Sequence, residues 1–215
     1  MRLNAVIICD DSESNGLAPL FSNLMCETSK ALCAYKKAND IDLALANLTH
    51  EKVDAQSLSE HLSNVNQNAF LCYVYSHGDC DKVLMDGETI VSTTSNQYLF
   101  SNALIYTFSC SNGGELADVL IDNGAKLFVG YTDNAWFTVG CENDYTERIA
   151  MTFVNSFLNG TNAQKAFEDL KESYNSVIFD DSLNDPILKG NLRKNRDCLT
   201  LKGDGKLRIS DVELN

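Results

Sequence analysis

With 215 residues, 44% of them hydrophobic, and a formal net charge of −13, the chain is long enough to bury a full α/β core. It is too acidic for nucleic acid to be its main partner. No stretch approaches the roughly 20 apolar residues of a membrane span, and the first apolar run is too short for a signal peptide before it meets Asp10 and Asp11. A cytoplasmic protein with a single domain over residues 1–215, away from membranes, is the expectation. The charge is unevenly spread: residues 189–215 hold seven Lys/Arg against four acids, so the first 188 carry 10 − 26 = −16. An acidic body is compatible with a basic substrate, and equally with a solvated acidic surface. The eight cysteines are scattered without CxxC spacing, and Cys9 and Cys72 sit in apolar runs, so reduced and mostly buried thiols are expected.

In chain order, Leu3 to Cys9 reads as a first strand ended by the polar turn Asp10 to Gly16. Leu17 to Tyr35 has helical spacing, with Lys36 and Lys37 suited to its C-terminal end. Ile41, Leu43 and Leu45 alternate as a short strand, and Ser57 to Glu60 has capping-box spacing ahead of a helical face of Leu58, Leu62 and Val65. His50 falls in a turn and His61 on that helix, both as ordinary histidines. The run Ala69 to Ser76 is apolar and then releases His77 into a glycine turn. Lys82 to Val91 reads as a hairpin about Asp86-Gly87, placed to form a lip of a cleft. Part of 94–102 is read as helical.

Residues 103–114, Ala-Leu-Ile-Tyr-Thr-Phe-Ser-Cys-Ser-Asn-Gly-Gly, form a second buried strand that delivers Cys110 to its end. Glu115 to Asn123 follows as a helix stopped at Gly124, then the strand Lys126 to Tyr131 and a loop, Thr132 to Phe137, over the same sheet edge. Two helices come next, one carrying Ile149, Phe153, Val154, Phe157 and Leu158. The other is capped by Thr161 and Gln164 and carries Phe167, Leu170 and Tyr174. Phe179 to Arg196 is polar and reads as an exposed loop open to proteolytic processing, before strands near Cys198 to Leu201 and Leu207 to Ile209. Alternating strands and helices in this order predict a three-layer α/β/α sandwich around a mostly parallel sheet with an inserted β-hairpin. If the strands ending at His77 and Cys110 are parallel neighbours, an imidazole lies beside a thiol, the minimum equipment for a cysteine nucleophile.

Tyr-Ser-His-Gly-Asp at 75–79, followed 110 − 77 = 33 residues later by Phe-Ser-Cys-Ser-Asn-Gly at 108–113, resembles the His-Gly and Cys motifs of the caspase-like, clan CD cysteine peptidases. That superfamily includes caspases, metacaspases, gingipains, separases and CHAT proteases. The runs 116–130 and 153–167 are most similar to CHAT and separase-type domains. The resemblance implies a cysteine endopeptidase with Cys110 as nucleophile and His77 as base or proton shuttle. It assigns the backbone N–H groups of Gly78 and Cys110 to an oxyanion hole. Phe108 and Ser109 depart from the residues caspases and metacaspases carry before the cysteine, so neither specificity pocket is reproduced.

The acid expected to line a substrate pocket is Asp133, with Glu142 and Asp144 as weaker candidates, each also readable as a solvated loop acid. Trp136, the only tryptophan, is a pocket wall or a core plug. A basic side chain before the scissile bond is the expected substrate preference. The implied partners are a protein substrate and a regulatory or sensor protein, as in bacterial antiviral defence, with no nucleic acid or membrane bound directly; no cofactor or metal is called for. Three alternatives stay open: a catalytically silent caspase-fold scaffold that binds a protein partner, a nonhydrolytic Rossmann-like module, and a thiol redox or metal protein.

Overall fold

The structure is a computed structural model and describes residues 1–137 and 145–213. Its elements run β1 (Arg2–Cys9), α1 (Ala18–Asn39), β2 (Asp42–Thr49), α2 (Ala55–Ser63), β3 (Phe70–Tyr75), β4 (His77–Asp79), β5 (Lys82–Met85) and β6 (Glu88–Ser92). After these come β7 (Ala103–Phe108), α3 (Glu115–Asp122), β8 (Leu127–Tyr131), α4 (Tyr145–Leu158), α5 (Ala163–Ile178), α6 (Pro186–Asp197) and β9 (Leu199–Gly203). The main sheet has the order β2-β1-β3-β7-β8-β9 and is parallel except for β9.

Every residue of β3, β7 and β8 is buried, as strands covered on both faces must be. Alternate side chains enter two separate cores. Leu71, Tyr73 and Tyr75 with Leu104, Tyr106 and Phe108 face the layer of α1, α4 and α5. Phe70, Cys72, Val74 and Ile105 face α2, α3 and the small second sheet. The helices supply the matching stripes, Leu20, Phe21, Leu24, Thr28 and Leu32 on α1 and Ala166, Phe167, Leu170, Tyr174 and Val177 on α5. Tyrosine hydroxyls tie sheet to helices inside the first core. Tyr75 pairs with Thr28 (2.6 Å), Tyr106 donates to the Ala150 carbonyl (2.8 Å), and Tyr131 pairs with Tyr174 (2.8 Å). This is the expected three-layer sandwich.

Several local expectations are corrected. His77 does not enter a turn: it opens β4, which pairs antiparallel with β5, so the inserted hairpin is part of a three-stranded sheet. The short strand after α1 extends over eight residues, because β2 follows the whole of β1 in register. Residues 186–197 are helix α6 rather than a loop. Pro186 stands at its first turn and Asp185 Oδ1 accepts from the N–H groups of Ile187 and Leu188, a start that overrides the polar composition. A hydrogen-bonded helix cannot lie extended in a protease cleft, so processing within Lys189 to Arg196 is no longer expected. Finally, Ile209–Asp211 is a short 3₁₀ turn, and α5 is capped by Asn162 rather than Thr161.

The stack of Phe153 on Tyr106, 4.8 Å between ring centres, joins α4 to β7. Phe153→Ala should cost about 3–5 kcal/mol of stability, the usual range for deleting a buried phenylalanine. A urea unfolding midpoint matching that of the unsubstituted protein would contradict this packing.

Candidate active site

The register of β3 with β7 sets out the site. Tyr75 lies opposite Phe108, and each strand then runs on two residues, to His77 and to Cys110. Neighbouring strands are about 4.8 Å apart, so the two chemistry-bearing residues leave the sheet at equivalent steps on adjacent strands. The carboxyl ends of parallel strands are where ligands collect in open α/β sheets.

His77 is exposed at the start of β4, its ring in a T-shaped contact with Phe21 (centroids 6.0 Å apart). Its Nε2 is 2.8 Å from Asn15 Oδ1. The same Oδ1 accepts from the Leu17 N–H (2.8 Å), and Asn15 Nδ2 donates to the Asp10 carbonyl (3.0 Å), which fixes which end of the amide is which. An amide oxygen only accepts, so Nε2 carries the proton and Nδ1 is the free basic nitrogen.

Asn15 is held in turn. Asp10, almost wholly buried, accepts from the Ser12 N–H and hydroxyl through Oδ1 and from the Asp86 N–H through Oδ2. Ser14 also hydrogen-bonds the Asp86 carboxylate. Asp86 and Gly87 both have positive φ, the geometry of a two-residue hairpin turn. The hairpin is therefore strapped to the loop after β1, with His77 between them. His50, on the far side, sets its Nδ1 2.8 Å from Asp11 Oδ1 and takes no part in the site.

The turn carrying Cys110 is fixed from both sides. Ser111 has a left-handed backbone (φ 60), which costs a non-glycine residue about 1–2 kcal/mol. It is held there because its N–H donates to the Asp133 carbonyl (3.2 Å) while the Gly113 N–H donates to that of Tyr131 (2.7 Å). Asn112 is buried and donates through Nδ2 to the carbonyls of Asp79 and Lys82, 2.6 and 2.7 Å away, so the cysteine turn is stitched to the β4–β5 connection. Glycine is required at 78 for close approach. A Cβ there would strike Ser109 Oγ and lie 2.6 Å from both polar atoms of the Asn112 amide. The reason is crowding, and no unusual φ is involved.

Cys110 is half-buried, with Sγ 3.5 Å from the Ala135 carbonyl oxygen. Burial pushes its thiol up. The Ala135 backbone and the Lys194 charge pull it back, and Asp133 adds to the rise, leaving the pKa above the ordinary value. At neutral pH the Cys110 side chain therefore rests as the thiol.

Of the other expected site residues, Asp133 is exposed and its carboxylate already faces Lys194 Nζ at 3.4 Å, besides accepting from the Asn134 N–H. The acid expected to meet a basic substrate side chain thus has a cation of its own. Trp136 is 58% exposed, which excludes the core-plug alternative, and its backbone is bound by Asn195. Glu142 and Asp144 lie outside the described residues. No group of three or more His, Cys, Asp or Glu able to hold a metal occurs among the described residues. Asn15, Asp10, Asn112 and Asn195 were not found from sequence. The only sequence signal was the position of each in a loop or at a helix end beside an expected strand end.

No family model matches the chain, and no curated protein matches it significantly. Solved structures do. The Arg-specific cysteine proteinase gingipain R superposes over 97% of this chain with a TM-score of 0.67 and 13% identity. The complex of the pro- and mature domains of Porphyromonas gingivalis RgpB superposes over 97% with a TM-score of 0.66 and 16% identity. The fold is caspase-like. The chain spans about half the length of these two proteins, 48% and 49% of their chains. Among the described residues no helix is long and apolar enough to cross a membrane.

Gly78→Ala is the sharpest test of how the caspase-like sheet ends are fastened together. With Asn112 held by two carbonyls the new methyl has nowhere to go, so the overpacking should cost about 1–3 kcal/mol and displace His77. A variant with unchanged thermal stability and unchanged alkylation of Cys110 would contradict the close approach.

Proposed function

We propose that the protein is a cysteine endopeptidase in which Cys110 is the nucleophile and His77 the proton shuttle. The observation that carries this is the Asn15-fixed tautomer: the imidazole at the end of β3 is held with Nδ1 basic, one strand away from a thiol that needs a base. The caspase-like fold agrees with it. Nδ1 takes the Cys110 proton as Sγ attacks the peptide carbonyl carbon. A C–S bond forms and the carbonyl π pair becomes the oxyanion, to which the N–H groups of Gly78 and Cys110 are assigned; one such donor is worth about 3–4 kcal/mol. When the oxyanion collapses, the C–N bond breaks and Nδ1–H delivers its proton to the leaving amine. Water, deprotonated by Nδ1, then hydrolyses the thioester and restores the thiol. Through both half-reactions Asn15 Oδ1 accepts from Nε2–H and keeps the ring oriented with Nδ1 toward the reacting groups.

The substrate class is a protein segment able to enter the cleft in extended form. Cleavage of a degenerate peptide library should be abolished by Cys110→Ala. His77→Ala should lower it by roughly 100-fold or more, the reach of general acid–base catalysis, and the double variant should be no worse than Cys110→Ala. Library cleavage surviving in Cys110→Ala would remove the proposal.

Asn15→Leu should lower kcat by roughly 10- to 100-fold, the worth of one hydrogen bond to a charged group. Nitrogen NMR shifts should also lose the Nε2–H signature of His77; an unchanged tautomer would contradict Asn15's part.

Because burial raises the thiol, the alkylation rate of Cys110 by iodoacetamide should still be climbing on the alkaline side of an ordinary thiol. A plateau already reached at neutral pH would instead mark a preformed thiolate.

A further inference from the structure

Beyond β8, residues 132–137 carry no regular secondary structure, yet each is fastened. The Thr132 N–H and hydroxyl both donate to the Cys198 carbonyl, at 2.8 and 3.1 Å. The Asp133 carbonyl receives the Ser111 N–H, and the Asn134 side chain receives the Ser111 hydroxyl at 3.1 Å. The Ala135 carbonyl faces the thiol of Cys110. Phe137 stacks on Phe108 with 4.0 Å between centroids.

The strongest fastening is at Trp136. Its N–H donates to Asn195 Oδ1 (2.8 Å), and its carbonyl accepts from Asn195 Nδ2 (2.7 Å). Asn195 sits on α6, only 1% exposed, beside the buried Tyr174 hydroxyl that pairs with Tyr131. A buried amide is costly unless paired, and this one is spent on gripping one peptide unit at both ends. A single exposed aromatic is ordinary on a protein surface. An indole displayed by a backbone this rigid, on the residue following the one that touches the nucleophile's sulfur, is not. A wall whose entropy has already been lost binds with less penalty, and tryptophan is prominent among the side chains that dominate such contacts.

We propose that Asn195 is a positioning residue that fixes the 132–137 segment as a preorganised wall of the peptide cleft. Trp136 is the side chain on that wall that contacts the substrate. This rests on the proteolytic function proposed above. Loosening the clamp raises KM more than it lowers kcat, because His77 and Asn15 lie on other elements and the Cys110 turn keeps anchors outside the segment, Gly113 N–H on the Tyr131 carbonyl and Asn112 on the carbonyls of Asp79 and Lys82.

Trp136 is the sole tryptophan, so intrinsic fluorescence reads this segment without a label. In Asn195→Ala, and more mildly in Asn195→Ser, acrylamide quenching should increase about twofold and anisotropy should fall; circular dichroism shows that each variant is folded. With the best-cleaved member of the degenerate peptide library, Asn195→Ser and Trp136→Ala should each raise KM about tenfold with kcat within about threefold. The double variant should be no worse than Trp136→Ala, since both act on one contact. Unchanged quenching in folded Asn195 variants overturns the clamp, and an unchanged KM in Trp136→Ala overturns the contact. Either result leaves wild-type cleavage, and so the proteolytic function, standing. A wild type that cleaves no library member removes that function and Trp136's part in it, and fluorescence then judges Asn195 alone.

Discussion

The pairing of β3 with β7 is the constraint on which the rest depends. Both strands lie in the middle of the sheet, buried on both faces, and a slip of one residue would send every side chain to the wrong core. Tyr73 and Tyr106 illustrate how firmly register is set: their rings meet edge to face at 6.5 Å, on the side covered by α1, α4 and α5. With register fixed, the exits of the two strands are fixed too, and the backbone beyond them need only be stopped from fraying. Separate anchors do this: Asp10 and Asn15 on the histidine side, and Asn112 with the carbonyls of Tyr131 and Asp133 on the cysteine side.

These anchors share a chemistry. Each is a short polar side chain or backbone group, largely buried, whose hydrogen bonds run between elements distant in sequence. Asn112 joins the turn after β7 to the carbonyls at 79 and 82, and Asp10 joins β1 to the β5–β6 turn. Such bonds are worth little net when made and are costly when one partner is lost. They therefore specify geometry more than they add stability, which suits a place where positions of a few tenths of an ångström matter.

That chemistry also explains what was legible in the sequence. The runs 69–76 and 103–109 announce buried strands because nothing else makes so continuous an apolar stretch between turns, and they lead straight to His77 and Cys110. The sandwich follows from the alternation of strands and helices. Asn15 and Asn195 could not be found in this way. An asparagine in a loop or near a helix end looks the same whether it faces water or grips a backbone, and the difference arises only when distant elements pack. Helix α6 was hidden for a related reason. Only Leu192 and Asn195 of its twelve residues are buried, so its composition is that of a surface loop while its capping aspartate and proline are those of a helix. The pairing of Asp133 with Lys194 was hidden too, because Lys194, 61 residues further along the chain, approaches it only through that helix.

The most direct test of the central claim is covalent capture by a mixture of peptidyl acyloxymethyl ketones varied at the residue before the warhead, mapped by mass spectrometry. Cys26, Cys33 and Cys80 are more exposed than Cys110 and serve as internal controls within the same chain. A single adduct on Cys110, formed in the unsubstituted protein and lost in His77→Ala, is the predicted result. Adducts spread over the exposed cysteines with none on Cys110, or labelling of Cys110 at the same rate without His77, would contradict it.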